Sequence, residues 1–182
     1  EFEGSESYTT PVLGYFDEDD VPDALVVFLR GTFPAYTEAV HAIVSGADGA
    51  VVWQESIGSL SMAGGVAIDL DADGFDEALL LASHADAEPD TEEQLHLLEP
   101  RTRSSRAFGP PLGSTLPVSP WVGELDVDGC VDLVVPELHT DDDGIRARVT
   151  RFRIRAPVPD SISWGGYLGT HFDAELRPRR QR

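Results

Sequence analysis

The segment Ala67-Ile-Asp-Leu-Asp-Ala-Asp-Gly-Phe-Asp-Glu-Ala-Leu-Leu-Leu81 decides the fold. It sets acids at every second position, then a glycine, another acid and an unbroken apolar run. Two other segments align with it: Gly14-Tyr-Phe-Asp-Glu-Asp-Asp-Val-Pro-Asp-Ala-Leu-Val-Val27 and Gly123-Glu-Leu-Asp-Val-Asp-Gly-Cys-Val-Asp-Leu-Val-Val135. The acid closing each cluster falls at Asp23, Glu77 and Asp132, spaced by 54 and 55 residues. An unrelated marker keeps nearly the same period, since Trp53, Phe108 and Trp164 are spaced by 55 and 56. Two chemically independent features sharing one period define a repeat.

Each unit reads as β structure. Apolar stretches at 11–13, 66–68 and 120–122 precede the acidic clusters, and β-rich runs at 24–29, 78–82 and 133–135 follow them. Third runs lie at 40–44, 94–98 and 146–154, and fourth runs ending in the aromatic at 51–53, 105–108 and 161–164. Residues 148–154 alternate with a period of two, and Ser45-Gly-Ala-Asp-Gly49 has hairpin-turn chemistry. Only 91–98 is ambiguous between helix and strand. Pro- and Gly-rich stretches at 31–34, 88–90, 109–120 and 156–160 read as loops, and the Arg-rich end as a frayed tail. The expected fold is all-β: a β-propeller fragment of about three four-stranded blades with Ca²⁺-binding loops. Its blades span about 8–56, 60–110 and 117–164, in one propeller segment with a tail at 165–182.

With the closing acid as position nine, the second cluster offers Asp69, Asp71, Asp73, Phe75 and Glu77 at positions one, three, five, seven and nine. The third offers Glu124, Asp126, Asp128, Cys130 and Asp132. Hard oxygen donors curled around a glycine suit Ca²⁺, with position seven giving its backbone carbonyl. An EF-hand does not fit, because Leu80 and Val135 stand where its twelfth-position Glu would be and the flanks read as strands. The first cluster has Tyr15 at position one and Asp20 in place of glycine, leaving Asp17, Asp19, Val21 and Asp23. Asp tolerates left-handed backbone, so that turn is expected to survive with poorer affinity. Solvated acidic turns without metal are the alternative for all three.

Across its 182 residues the chain has 33 acids and 13 arginines, no lysine and no asparagine, for a net charge of −20. That charge argues against nucleic acid or an anionic membrane as partner, and no apolar run is long enough for membrane insertion. The windows 15–23, 69–77 and 124–132 hold 5, 5 and 4 acids and no arginine, so most of the surplus sits in the loops. Cys130 stands alone, which excludes an internal disulfide framework. The chain begins Glu-Phe-Glu-Gly-Ser, with neither initiator Met nor signal-peptide pattern.

The D-x-D-x-D-G-x-x-[DE] loop followed by Leu-Val-Val resembles the FG-GAP or VCBS-type repeat of integrin-α-like β-propellers. The resemblance covers residues 8–164. It implies Ca²⁺ in the loop between the first two strands of each blade, further blades upstream, and these three units as the C-terminal ones. The expected function is a calcium-binding scaffold for binding or adhesion, on a secreted or cell-surface bacterial protein, whether extracellular or periplasmic. Its ligand is an unknown protein or carbohydrate. The alternative is part of a propeller-fold polysaccharide lyase or hydrolase with catalytic residues elsewhere. No catalytic residue can be assigned: the histidines are dispersed, with a packing or surface role expected for His41 and His96, and there is no nucleophile elbow or phosphate loop. Residues 139–144 read as a hairpin tip.

Overall fold

A computed structural model of the chain describes residues 3–83, 93–114, 118–171 and 173–176. No helix occurs among the described residues, and the strands form three antiparallel sheets. The first sheet contains β1 (Ser5–Glu6), β2 (Val12–Gly14), β3 (Asp23–Thr32), β4 (Ala35–Val44) and β5 (Val51–Ser56). The second contains β6 (Val66–Ile68), β7 (Glu77–Ser83), β8 (Glu93–Glu99) and β9 (Ser104–Leu112). The third contains β10 (Trp121–Gly123), β11 (Cys130–Asp141) and β12 (Gly144–Pro157). Each sheet is a meander in chain order, except that β1 and β2 lie end to end along one side of β3.

One pairing recurs in all three sheets. The segment ahead of each short first strand touches the second strand six residues beyond the closing acid. Glu6 pairs with Leu29, Leu60 with Ser83, and Ser114 with Leu138. The connectors therefore enter each sheet alike, and the first strands (β2, β6, β10) start from equivalent places.

The sheets stack through two apolar layers. Leu25, Ile43 and Trp53 of the first sheet meet Ala78, Leu80, Ala82 and Leu98 of the second. The other face of the second sheet, with Leu79, Leu81, Leu95 and Leu97, packs on Val131, Leu133, Val135 and Ile154 of the third. Covered on both faces, β7 is buried at every residue, which explains why its sequence is a continuous apolar run with no alternation. In β3, by contrast, burial alternates from Asp23 to Leu29.

Several expected boundaries move. Residues 109–112, expected in a loop, belong to β9; its prolines are tolerated because β9 is an edge strand with one side free of ladder bonds. Residues 31–32 and 156–157 likewise extend β3 and β12. The ambiguous stretch resolves as the strand β8. A two-residue turn at Asp142 and Asp143 closes the β11–β12 hairpin, as the 139–144 reading requires. The expected loop at 88–90 and the Arg-rich end at 177–182 lie outside the described residues.

The largest departure is the fourth run of the last unit. Residues 161–164 do not pair with β12; among the described residues the third sheet has three strands. Instead Trp164 exchanges both backbone hydrogen bonds with Ala67 of β6, and the carbonyl of Gly165 accepts from the N–H of Val122 in β10. The physical reason is burial: the Trp164 ring is 4 % exposed within the layer between the first two sheets, whereas the outer half of β12 is solvated. Trp164→Ala should cost about 3–5 kcal/mol in urea unfolding. A loss below about 1 kcal/mol, the scale of a surface substitution, would show that this crossing does not hold the sheets together.

Candidate metal sites in the acidic loops

All three acidic loops join the first strand of a sheet to its second, and all use one device at the closing acid. Asp23, Glu77 and Asp132 are buried at the start of β3, β7 and β11. Each accepts a hydrogen bond from the backbone N–H of position two: Phe16 at 3.0 Å, Leu70 at 2.7 Å and Leu125 at 2.8 Å. The acid at position five accepts from the N–H of position seven in every loop, as Asp19 from Val21, Asp73 from Phe75, and Asp128 from Cys130. These short-range bonds wind the chain so that alternate carboxylates face inward.

The second and third loops share a further feature. The N–H of Gly74 donates to Asp69 and that of Gly129 to Glu124, from position six to position one. Reaching back that far requires left-handed backbone, and Gly74 and Gly129 adopt it with φ of 96° and 77°. Ala72 and Val127 at position four also turn left-handed, a geometry strained above all for the β-branched Val127. The first loop has no acid at position one, and Asp20 is not in the left-handed region, so its expected glycine-like turn does not form. Tyr15 is committed elsewhere. Its N–H donates to Asp76 and its carbonyl accepts from the N–H of Asp76, tying the first loop to the second.

The three loops differ most in what compensates their charge. In the second, Asp69, Asp71 and Glu77 each present an oxygen within 4.8 Å of the others. Asp73 is outside this group and pairs instead with Arg101 from the β8–β9 turn at 2.8 Å. That guanidinium also lies over the Phe75 ring. One oxygen of Asp69, Oδ1, is buried with no hydrogen-bond donor. A buried orphan acceptor in a cage of carboxylates is what a bound cation would satisfy, so these residues fit a metal ion.

In the first loop, Asp17, Asp19 and Asp23 gather in the same way. The β4–β5 turn leans on this loop: the N–H of Gly46 donates to Asp23, and a Cβ at Gly46 would stand 2.0 Å from the carbonyl oxygen of Pro22. Only glycine fits there. Burial raises the Asp23 carboxyl above its ordinary range against these two backbone bonds.

The third loop is neutralised from within. Arg151 of β12 bridges Asp132 at 2.6 Å and Asp126 at 2.7 Å, and Arg153 pairs with Asp128 at 2.6 Å while donating to the Cys130 sulfur. The guanidinium hydrogen bond holds Asp132 below the usual carboxylate range. A cation entering this loop would have to displace two arginines. Sequence spacing gave no sign of this, although the antiparallel register does, because Arg153 stands opposite Asp132 and Arg151 opposite Val134. Arg101, Gly46 and Asp76 were likewise not singled out by the repeat pattern.

Among the described residues, no histidine joins these clusters. His41 is fully buried on the face of β4 turned toward the second sheet, and desolvation lowers its pKa to about 4. No protein-family model, no curated protein and no solved structure matches the chain.

Burial and the neighbouring carboxylates of Asp71, Asp69 and Asp73 push Glu77 from its ordinary 4.5 to about 8. Between those values the folded protein holds a proton that the unfolded chain has released, so stability falls as pH rises through that window. Metal-free protein should therefore lose stability on titration from mildly acidic to mildly alkaline pH, and Glu77→Gln should flatten the profile. Parallel pH–urea surfaces with superimposable slopes for the two proteins would refute the assignment.

Proposed function

We propose that the chain is a calcium-binding β-propeller segment of FG-GAP or VCBS type, serving as a binding scaffold on a secreted or cell-surface bacterial protein. The observation that carries this is the Asp69–Asp71–Glu77 cluster with its orphaned Asp69 oxygen. It occupies the loop between the first two strands of a sheet, where the sequence repeat positions it. The recurrent pairing of Glu6, Leu60 and Ser114 with equivalent second-strand residues supports reading the three sheets as successive blades.

An all-oxygen, carboxylate-rich donor set favours a hard cation, and a short loop of modest rigidity suits the millimolar Ca²⁺ outside cells. Asp69, Asp71 and Glu77 would hold the ion in the second loop, and Asp17, Asp19 and Asp23 in the first. The ion would supply positive charge, and Glu77 would give up its proton. In the third loop Arg151 and Arg153 already supply that charge. The scaffold's metal dependence then rests on the first two sheets.

Calorimetric titration of chelator-treated protein should show Ca²⁺ binding with proton release. The melting point should rise, with about 2.7 kcal/mol of stabilisation at a hundredfold excess over Kd. Asp69→Ala should remove the second-loop site, while Glu124→Ala should leave the stoichiometry unchanged. The absence of both binding heat and a thermal shift would overturn the calcium reading. Arg151→Ala should lower the melting point without calcium and make the third loop responsive to it; a variant indistinguishable from wild type would contradict the arginine's role.

A further inference from the structure

We propose that the end of the molecule opposite the acidic loops carries a binding pocket for a neutral saccharide. An open cleft of about 580 Å³ is lined by nine described residues, Tyr8, Thr10, Gly64, Val118, Ser119 and Tyr167 among them. Its volume lies within the usual range for small-molecule sites. Most of the lining comes from the three connectors just ahead of β2, β6 and β10, and the acidic loops follow those strands at their far ends. Thr10, Gly64 and Val118 are spaced by 54 and 54 residues, so the repeat itself assembles the pocket.

The chemistry of the lining selects the ligand. None of the nine side chains is charged, in a chain where a quarter of the residues are. With no arginine among the described lining residues and a net charge of −20 on the chain, an anionic ligand is disfavoured; with no carboxylate among them, a cation gains nothing there. What remains are hydroxyls from Thr9, Thr10 and Ser119, backbone polar groups, and the faces of two tyrosines. Tyr8 and Tyr167 are 54 % and 58 % exposed. Aromatic faces beside hydroxyl donors and acceptors match a sugar, which offers an apolar C–H face and an equatorial ring of hydroxyls.

The site is held in shape before any ligand arrives. The Tyr8 hydroxyl donates to Glu6 at 2.8 Å, the same carboxylate accepts from Tyr36 at 2.6 Å, and the two rings meet edge to face. That holds the Tyr8 ring in place and commits its hydroxyl to Glu6. The Gly64 N–H donates to the carbonyl of Val118, and a Cβ at Gly64 would fall 2.2 Å from the Ser119 oxygen. The second and third connectors are thus pinned together within the pocket lining.

This inference takes the scaffold reading as its starting point and supplies its ligand class, but no pocket residue lies in an acidic loop. The test is saturation-transfer NMR and calorimetry on the full chain with glucose, galactose, mannose, N-acetylglucosamine and their β-linked trimers, each run with Ca²⁺ and with chelator. Binding of at least one neutral sugar is expected, weakened about tenfold or more by Tyr167→Ala and by Tyr8→Phe/Tyr167→Ala together. Both sites are surface-exposed, and unchanged melting curves would verify folding. Tyr36→Phe loosens the Tyr8 clamp and should weaken binding less. No binding by any neutral sugar in a folded protein would overturn the pocket assignment, as would binding insensitive to Tyr167→Ala or a preference for a uronate or a peptide. Sugar binding that persists without any calcium response would overturn the calcium reading alone.

Discussion

A carboxylate buried at the root of a strand must find compensation, and the three sheets are organised around that requirement. Asp23 and Glu77 begin β3 and β7, Asp132 is the third residue of β11, and all three are nearly sealed from water. One backbone N–H from position two reaches each of them, which is too little to stabilise a buried negative charge alone. The first sheet adds the amide of Gly46 from its own β4–β5 turn. The third sends Arg151 across from β12. The second adds no further donor and holds Glu77 protonated, or open to a cation. Each solution fixes a different neighbour in place: a glycine turn, a proton or ion, an arginine ladder.

Much of this architecture was legible from period and pattern. The acid spacing marks each loop between first and second strands, and the runs after Asp23, Glu77 and Asp132 identify β3, β7 and β11. Even the uninterrupted apolar character of β7 carries information, since it reports a sheet covered on both faces. The final run misled for a definable reason. Trp164 keeps the period of Trp53 and Phe108 as a residue type, yet its backbone partner is β6 and not the neighbouring β12. Periodicity predicts which residue comes next; burial decides where it goes.

The charge partners were less legible because they depend on register. Arg151 and Arg153 belong to a run in which the sequence shows only a period-two alternation. Only when β12 is aligned on β11 do their guanidiniums come over Asp126, Asp128 and Asp132. Asp76 is a similar case. It counts toward the acidic window, but its carboxylate is used as an acceptor for Tyr15 and links two loops. The acidic surplus is therefore divided between groups that await a counter-charge and groups that already have one.

The crossing at Trp164 and Gly165 has a kinetic consequence. The sheets are meanders whose strands pair with sequence neighbours, so their contacts are local and can form early. Trp164 instead closes on Ala67, about 100 residues back, and Gly165 closes on Val122. Such long-range closure costs chain entropy that is recovered only after both target strands exist. The clasp is thus expected to form only after the strands that it joins. It adds a backbone tie between β6 and β10 to sheets that already stack through two apolar layers.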